Sequence, residues 1–253
     1  MNLVGIYTLA KKELKRFIKV PFQTIGSPIV TTLLFFLVFG YAVGNKIGDI
    51  EGISYGEFII PGLIMMNVIT SAFFGISSGL MLQKFMNTLS ELLVSSMSYF
   101  EIALRYTLAS VIRSLIIGVL IYLTALFFIP FRIDHFFFLL FFTILVAAAF
   151  SLLGIIIGIW AETFEQVSIF PTFLITPLTF LGGVFYSIKM LPEFAQAISE
   201  YNPFLYMING MRYGFYGISD VGPGTSVLIV GVIFVILFLI TWYLLKIGYK
   251  IKT

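Results

Sequence analysis

The sequence has no cysteine, a single histidine, and few charges: only 11% of its 253 residues are Asp, Glu, Lys or Arg. Without cysteine there are no disulfides and no thiolate metal sites, while the redox compartment stays open. A lone His135 leaves no histidine cluster for a metal. The charge content excludes an ordinary soluble domain, in which about 25% of residues are charged. No G-x-x-x-x-G-K-[ST] phosphate loop occurs, and no Gly directly precedes a Lys, so the chain carries no recognisable nucleotide pocket. The N-terminus is basic but lacks the short apolar core and small-residue cleavage site of a signal peptide.

What is present is grease. Apolar and aromatic residues make up 60% of the chain, 29 of them Phe, and the net charge is +3. A bilayer core of ~30 Å needs about 20 mostly apolar residues per helical crossing. Six stretches qualify: 27–44, 58–82, 106–129, 136–160, 167–186 and 226–245. Pro28 opens the first where its missing N–H is harmless. Only the polar turn "AETFEQ" (161–166) separates the fourth from the fifth. No internal repeat is evident. The expected fold is an all-α integral membrane protein with six transmembrane helices, forming one domain over 1–253.

Basic residues orient it. An N-terminus in the cytoplasm collects eleven of the fifteen Lys and Arg on that side, leaving Lys46, Arg132, Lys189 and Arg212 outside. Both termini are then cytoplasmic. Ahead of the first span, "LVGIYTLAKKELKRFIKVP" sets Leu3, Ile6, Tyr7, Leu14, Phe17 and Ile18 on one helical arc. Lys11, Lys12, Lys15, Arg16 and Lys19 lie opposite. Residues 1–21 are expected to form an amphipathic interface helix, either a simple anchor or a docking helix.

The spans hold no Asp, Glu or His in their apolar interiors, so the coupling groups of ion-driven carriers are missing. Arg113 is the one candidate intramembrane charge, close enough to the cytoplasmic end to snorkel. Asn67, Thr70, Ser71, Ser77 and Ser78 either pack against neighbouring helices or line a pathway. "FGISSG" (74–79) places Ser between glycines, but His135 lies on the opposite side, so serine catalysis lacks its base. Any power stroke must come from another polypeptide. Its port is the cytoplasmic link 83–104, where Thr88 or Ser90 can cap a short helix with Glu91 in its first turn. Leu89, Leu92, Leu93 and Val94 supply the apolar part of that link. Glu162 and Glu165 sit in the next cytoplasmic turn, either meeting the same partner or solvated.

Between the last two spans lies a segment too polar to cross and too apolar for a loop: "LGGVFYSIKMLPEFAQAISEYNPFLYMINGMRYGFYG" (181–217). Pro192 can begin one short helix. Asn202 can cap a second, with Pro203 in its first position. Phe204, Ile208, Met211 and Phe215 then share one face. Fourteen residues reach only ~21 Å, too short to cross. Arg212 either pairs with an acid such as Glu193 or Glu200, meets an anion, or anchors the interface.

Taken in order, Gly182, Gly183, Phe185, Leu191, Pro192, Asn202, Pro203, Tyr206 and Arg212 resemble the pattern of ABC type-2 exporter permeases, most closely the YadH-like bacterial group. "ELLVSSMS" (91–98) and the six-span plan are similar too. The resemblance implies that 188–217 is a re-entrant helical hairpin roofing the outer end of a pathway. It also implies a homodimer in the bacterial inner membrane, working with two copies of a separate cytoplasmic ABC ATPase that binds ATP and Mg. This chain itself would hold no cofactor, bind no nucleic acid and catalyse nothing. Asn67, Thr70, Phe173, Thr176 and Phe180 become candidate pathway lining, and the aromatic composition suits a hydrophobic or amphipathic cargo. An ion-coupled carrier, or an accessory or channel subunit, is the alternative.

Overall fold

A computed structural model describes residues 21–88, 98–129 and 132–250. Residues 1–20 of the expected interface helix, and Leu89, Glu91, Leu92, Leu93 and Val94 of the link, lie outside the described residues.

Helix α1 (22–47) opens the described chain. It widens to i→i+5 turns over Phe22–Gly26 and again over Phe36–Val43. A two-residue ladder follows, β1 (Asp49–Ile50) against β2 (Ile53–Ser54). Glu51 and Gly52 turn it with φ of 50° and 83°, the left-handed pair that matches strand twist. Then come α2 (Tyr55–Phe85), α3 (Tyr99–Leu126), α4 (Phe136–Trp160) and α5 (Phe164–Leu181). Two short helices, α6 (Glu193–Glu200) and α7 (Pro203–Tyr216), precede α8 (Pro223–Ile247).

Five of these, α2, α3, α4, α5 and α8, are long and apolar enough to cross a membrane. The first apolar helix is shorter, Thr24–Gly40. The helix expected over 106–129 starts seven residues earlier, because Ser98 and Glu101 form a capping box in which the Ser98 N–H donates to Glu101 Oε2 at 3.2 Å. The one expected over 167–186 stops at Leu181, at the Gly182–Gly183 corner. Inside α5, Pro171 withholds an N–H, and the turn widens to i→i+5 over Phe170–Ile175, with Thr176 N–H reaching Pro171 O.

Helix α2 is the centre. Ser54 and Glu57 cap its start, and α3, α4 and α7 cover it. Gly154 and Gly158 of α4 let the backbones close: a Cβ on Gly154 would lie 2.6 Å from Phe73 O. By contrast α5 and α8 are apolar nearly all round and expose large side chains such as Phe173, Leu228 and Leu239, as helices facing lipid do.

The two ends are fastened differently. At one end Lys84 Nζ donates to Ile159 O (2.6 Å) and Ala161 O (2.8 Å), joining the exit of α2 to the exit of α4. At the other, Tyr55 Oη donates to Phe185 O (2.9 Å) and Tyr216 Oη to Glu57 O (3.1 Å), tying the hairpin to the start of α2.

Candidate functional site

The hairpin after α5 is built as a knot of backbone and polar side chains. Gly183 turns the chain at φ 86°, where a side chain is strained. A Cβ on Gly182 would lie 3.0 Å from Phe204 C and 3.1 Å from Leu205 N, so the corner abuts the first turn of α7. Pro192 takes the N-cap position of α6. Asn202 caps α7, its Oδ1 accepting from Phe204 N–H at 3.0 Å. Its Nδ2 donates to Leu178 O at 2.7 Å, binding the cap to α5. Pro203 occupies the first helical position, and Tyr206 Oη donates to Glu200 O at 2.8 Å, closing α6 onto α7. Phe204, Ile208, Met211 and Phe215 are buried together.

Arg212 is enclosed, at 1% exposure, and its partner is Asp220 rather than Glu193 or Glu200. Its Nη2 donates to Gly183 O at 2.8 Å, and its guanidinium carbon sits 3.8 Å above the Phe58 ring centroid. Asp220 also accepts from the Ser187 hydroxyl and from Ile188 N–H, while its own N–H donates to Asn209 Oδ1 at 2.8 Å. One acid thus joins the α5–α6 connection, α7 and the approach to α8. At the rim, Lys189 pairs with Glu51 of the β-turn, and that hydrogen bond holds the Lys189 ammonium above its ordinary range.

At the opposite end, Glu162 and Glu165 flank Thr163, whose hydroxyl accepts from Gln166 N–H at 3.3 Å to cap α5. Lys250 Nζ donates to Glu162 Oε1 at 2.6 Å and to Trp160 O at 3.3 Å. The Lys250 hydrogen bond, then its charge, holds the Glu162 carboxyl below its ordinary range, and Glu162 raises Lys250 in return. With Lys84 on the neighbouring carbonyls of Ile159 and Ala161, two ammonium groups cover the negative end of α4. Among the described residues no group of three or more His, Asp or Glu is placed to hold a metal.

The profile of the ABC-2 type transporter family matches residues 4–216. The chain belongs to that family. It is 42% identical over 250 residues to the inner membrane transport permease YadH of Escherichia coli K12, covering 99% of this chain and 98% of the relative. It is 22% identical over 198 residues to nodulation protein J of Rhizobium leguminosarum bv. viciae, covering 77% and 75%. For the same-named protein of Sinorhizobium fredii the figures are 24% over 174 residues, covering 68% and 66%.

Within this ABC-2 chain the candidate lining residues sit in different surroundings. Asn67 Nδ2 donates to Thr32 Oγ1 at 3.1 Å and to Leu63 O at 2.8 Å, so it ties α2 to α1. Thr70 Oγ1 returns to Met66 O at 2.8 Å. Phe180 packs edge-on against Phe35 of α1 at 5.9 Å, and Thr176 is half-buried. Phe173 points away from the fold, 75% exposed. Two groups escaped the sequence reading. Asp220, a lone acid eight residues after Arg212, carried a signal only as its nearest downstream countercharge. Lys84 reads in the sequence as one of the cytoplasmic charges, and its two carbonyl partners, Ile159 and Ala161, lie 75 and 77 residues away.

Proposed function

We propose that this chain is the membrane permease subunit of an ATP-driven exporter in a bacterial inner membrane, moving a hydrophobic or amphipathic substrate out of the cytoplasm or inner leaflet. The observation that carries the reading is membership of the ABC-2 type transporter family by a chain with no phosphate loop of its own. A transporter named for ATP-binding cassettes must then take its ATP and Mg on a separate ATPase subunit. The name of the Escherichia coli relative supports both the permease role and the inner membrane.

The chain crosses six times with both termini in the cytoplasm. Two copies assemble with two ATPases, through the exposed apolar sides of α1 and α5, where Leu34, Leu37 and Leu181 stand exposed among the described residues. The hairpin α6–α7 is re-entrant and roofs the outer end of the path. ATPase closure pushes on the 83–104 link and on Glu162 and Glu165. The Lys84 contacts support this, since they fasten the base of the link to the α4–α5 turn. The α1–α5 aromatic contact and the Asn67–Thr32 bond lie on the path's wall and shift as the copies tilt.

Replacing Leu92 and Leu93 with Asp tests the reading. Membrane insertion should persist, while the copurified ATPase loses its response to transport substrate. Unchanged association and transport would refute the docking role. Uphill transport by the purified chain alone in liposomes, driven by a proton or sodium gradient, would refute the whole proposal.

A further inference from the structure

Helix α7 packs on α2, α4 and α8, and it touches α3 where the rings of Tyr122 and Phe215 lie 6.1 Å apart. Beside that contact an apolar cavity of about 240 Å³ opens between α3, α4 and α7. Ile64 of α2 forms its floor, and Met211 and Phe215 its wall below the hairpin. Its polar lining is slight: the Thr143 hydroxyl turns back to Leu139 O at 2.7 Å. Val119, Leu123, Phe136 and Leu140 stand exposed along one long side, so the space is a groove rather than a closed void.

We propose that this groove holds one acyl chain of a phospholipid from the leaflet on the hairpin side, with the lipid phosphate met by Arg132. Three observations lead there. The lining runs from Leu115 to Leu123 on α3, about 12 Å of helix, close to the ~15 Å of hydrocarbon in one leaflet. The groove faces outward from helices long and apolar enough to span, where hydrocarbon is the solvent, and a dry void there forfeits its dispersion contacts. Arg132, next in sequence to the lining residue Ile133, has a side chain 76% exposed, and among the described residues only its Nε is engaged, by Asp134 at 3.1 Å. The backbone just after it is pinned to α7: Asp134 N–H donates to Phe215 O at 2.9 Å and His135 N–H to Gly214 O at 3.0 Å. A guanidinium with its outer edge exposed can take a phosphate in two parallel hydrogen bonds. The lipid then supplies the missing wall between α3 and α7. This holds whether or not the chain exports anything.

The test uses the full chain in dodecyl maltoside, with Trp160→Phe and Trp242→Phe removing native tryptophan emission and Leu123→Trp placing a reporter, excited selectively over tyrosine, on the groove's lip. Chain-brominated phosphatidylglycerol is titrated in. Quenching should saturate near one lipid per chain, and Arg132→Gln should weaken it roughly tenfold, as loss of a charge-assisted hydrogen bond does. A reporter on the outer face of α8, Val235→Trp, should show only shallow, unsaturated quenching. Native mass spectrometry of the unsubstituted protein provides a second readout, one retained phospholipid that Arg132→Gln loses. Shallow quenching at Leu123→Trp, indifferent to Arg132→Gln, would reduce the groove to ordinary boundary lipid. Absence of quenching would mean that a second copy covers it. Either result overturns the proposal.

Discussion

Arg212 Nη1 lies 3.6 Å from Asp220 Oδ2, with 1% and 4% of the two side chains exposed. Their attraction is not screened by water, and neither charge can be hydrated if the other is lost. Removing one member of such a pair typically destabilises by about 3–5 kcal/mol, whereas replacing both with apolar residues is often neutral. Asp220→Ala should therefore sharply lower the melting temperature in detergent. Arg212→Met combined with Asp220→Leu should recover much of the loss, short of full recovery because Gly183 O and Ser187 keep unmet bonds. Equal melting of the single and double variants would mean the pair does not act as a unit.

Helix α7 crosses α4 at Gly210, where a Cβ would stand 2.3 Å from two carbons of the Phe142 ring. No rotamer adjustment of alanine relieves that contact, so the helices must separate or Phe142 must move. Gly210→Ala is expected to destabilise by about 1–3 kcal/mol, the range for overpacking a close-packed interior. Phe142→Leu in the same chain should restore part of it. A thermal melt of the four members of the cycle reads the coupling, and additivity would show that the two do not meet.

Glu162 and Lys250 form the one ion pair among the described residues at the α4–α5 turn. Because Glu162 titrates lower when folded, its contribution is present above its ordinary 4.5 and disappears as pH falls through the folded value. Lys250 titrates higher when folded, so its contribution is present below 10.5 and is lost as pH rises through the folded value. Between those limits the pair makes no pH-dependent contribution. A small loss of melting temperature on acidification below 4.5, absent in Glu162→Gln and reduced by salt, is the expected result. The same acid dependence in Glu162→Gln would assign it to other carboxylates.

The long apolar runs were legible because lipid-facing helices need little more than length and grease: α4 occupies 136–160 as the sequence indicates. Local chemistry was legible too, as in the Asn202 cap, Pro203 behind it and the Gly182–Gly183 corner. What stayed hidden was tertiary. Arg212 reads as an interfacial cation because nothing nearby in the sequence says that Phe58, Gly183 and Asp220 will enclose it. Asn67 has the composition of a pathway residue, and only the approach of α1 reveals its bond to Thr32. The start of α3 was missed for a different reason: Tyr99–Arg105 is too polar for a hydropathy window, and the Ser98–Glu101 capping box is what announces it.

Lys84 offers the sharpest separation of structure from coupling. Its ammonium covers Ile159 O and Ala161 O, two carbonyls that the end of α4 leaves without helical partners. Lys84→Met keeps the aliphatic stem and removes only the donor, at a cost of about 1–3 kcal/mol for a hydrogen bond to a charged group. The melting temperature should fall modestly, and Lys84→Arg should restore it in part. If the 83–104 link receives the ATPase's push, Lys84→Met has a second consequence: the ATPase still copurifies, but its hydrolysis follows substrate less closely, because Lys84 ties the exit of α2 to the α4–α5 turn by hydrogen bonds. A Lys84→Met protein that melts lower yet couples normally would leave Lys84 as a helix cap alone. One that melts as the parent would show that water serves those carbonyls equally well.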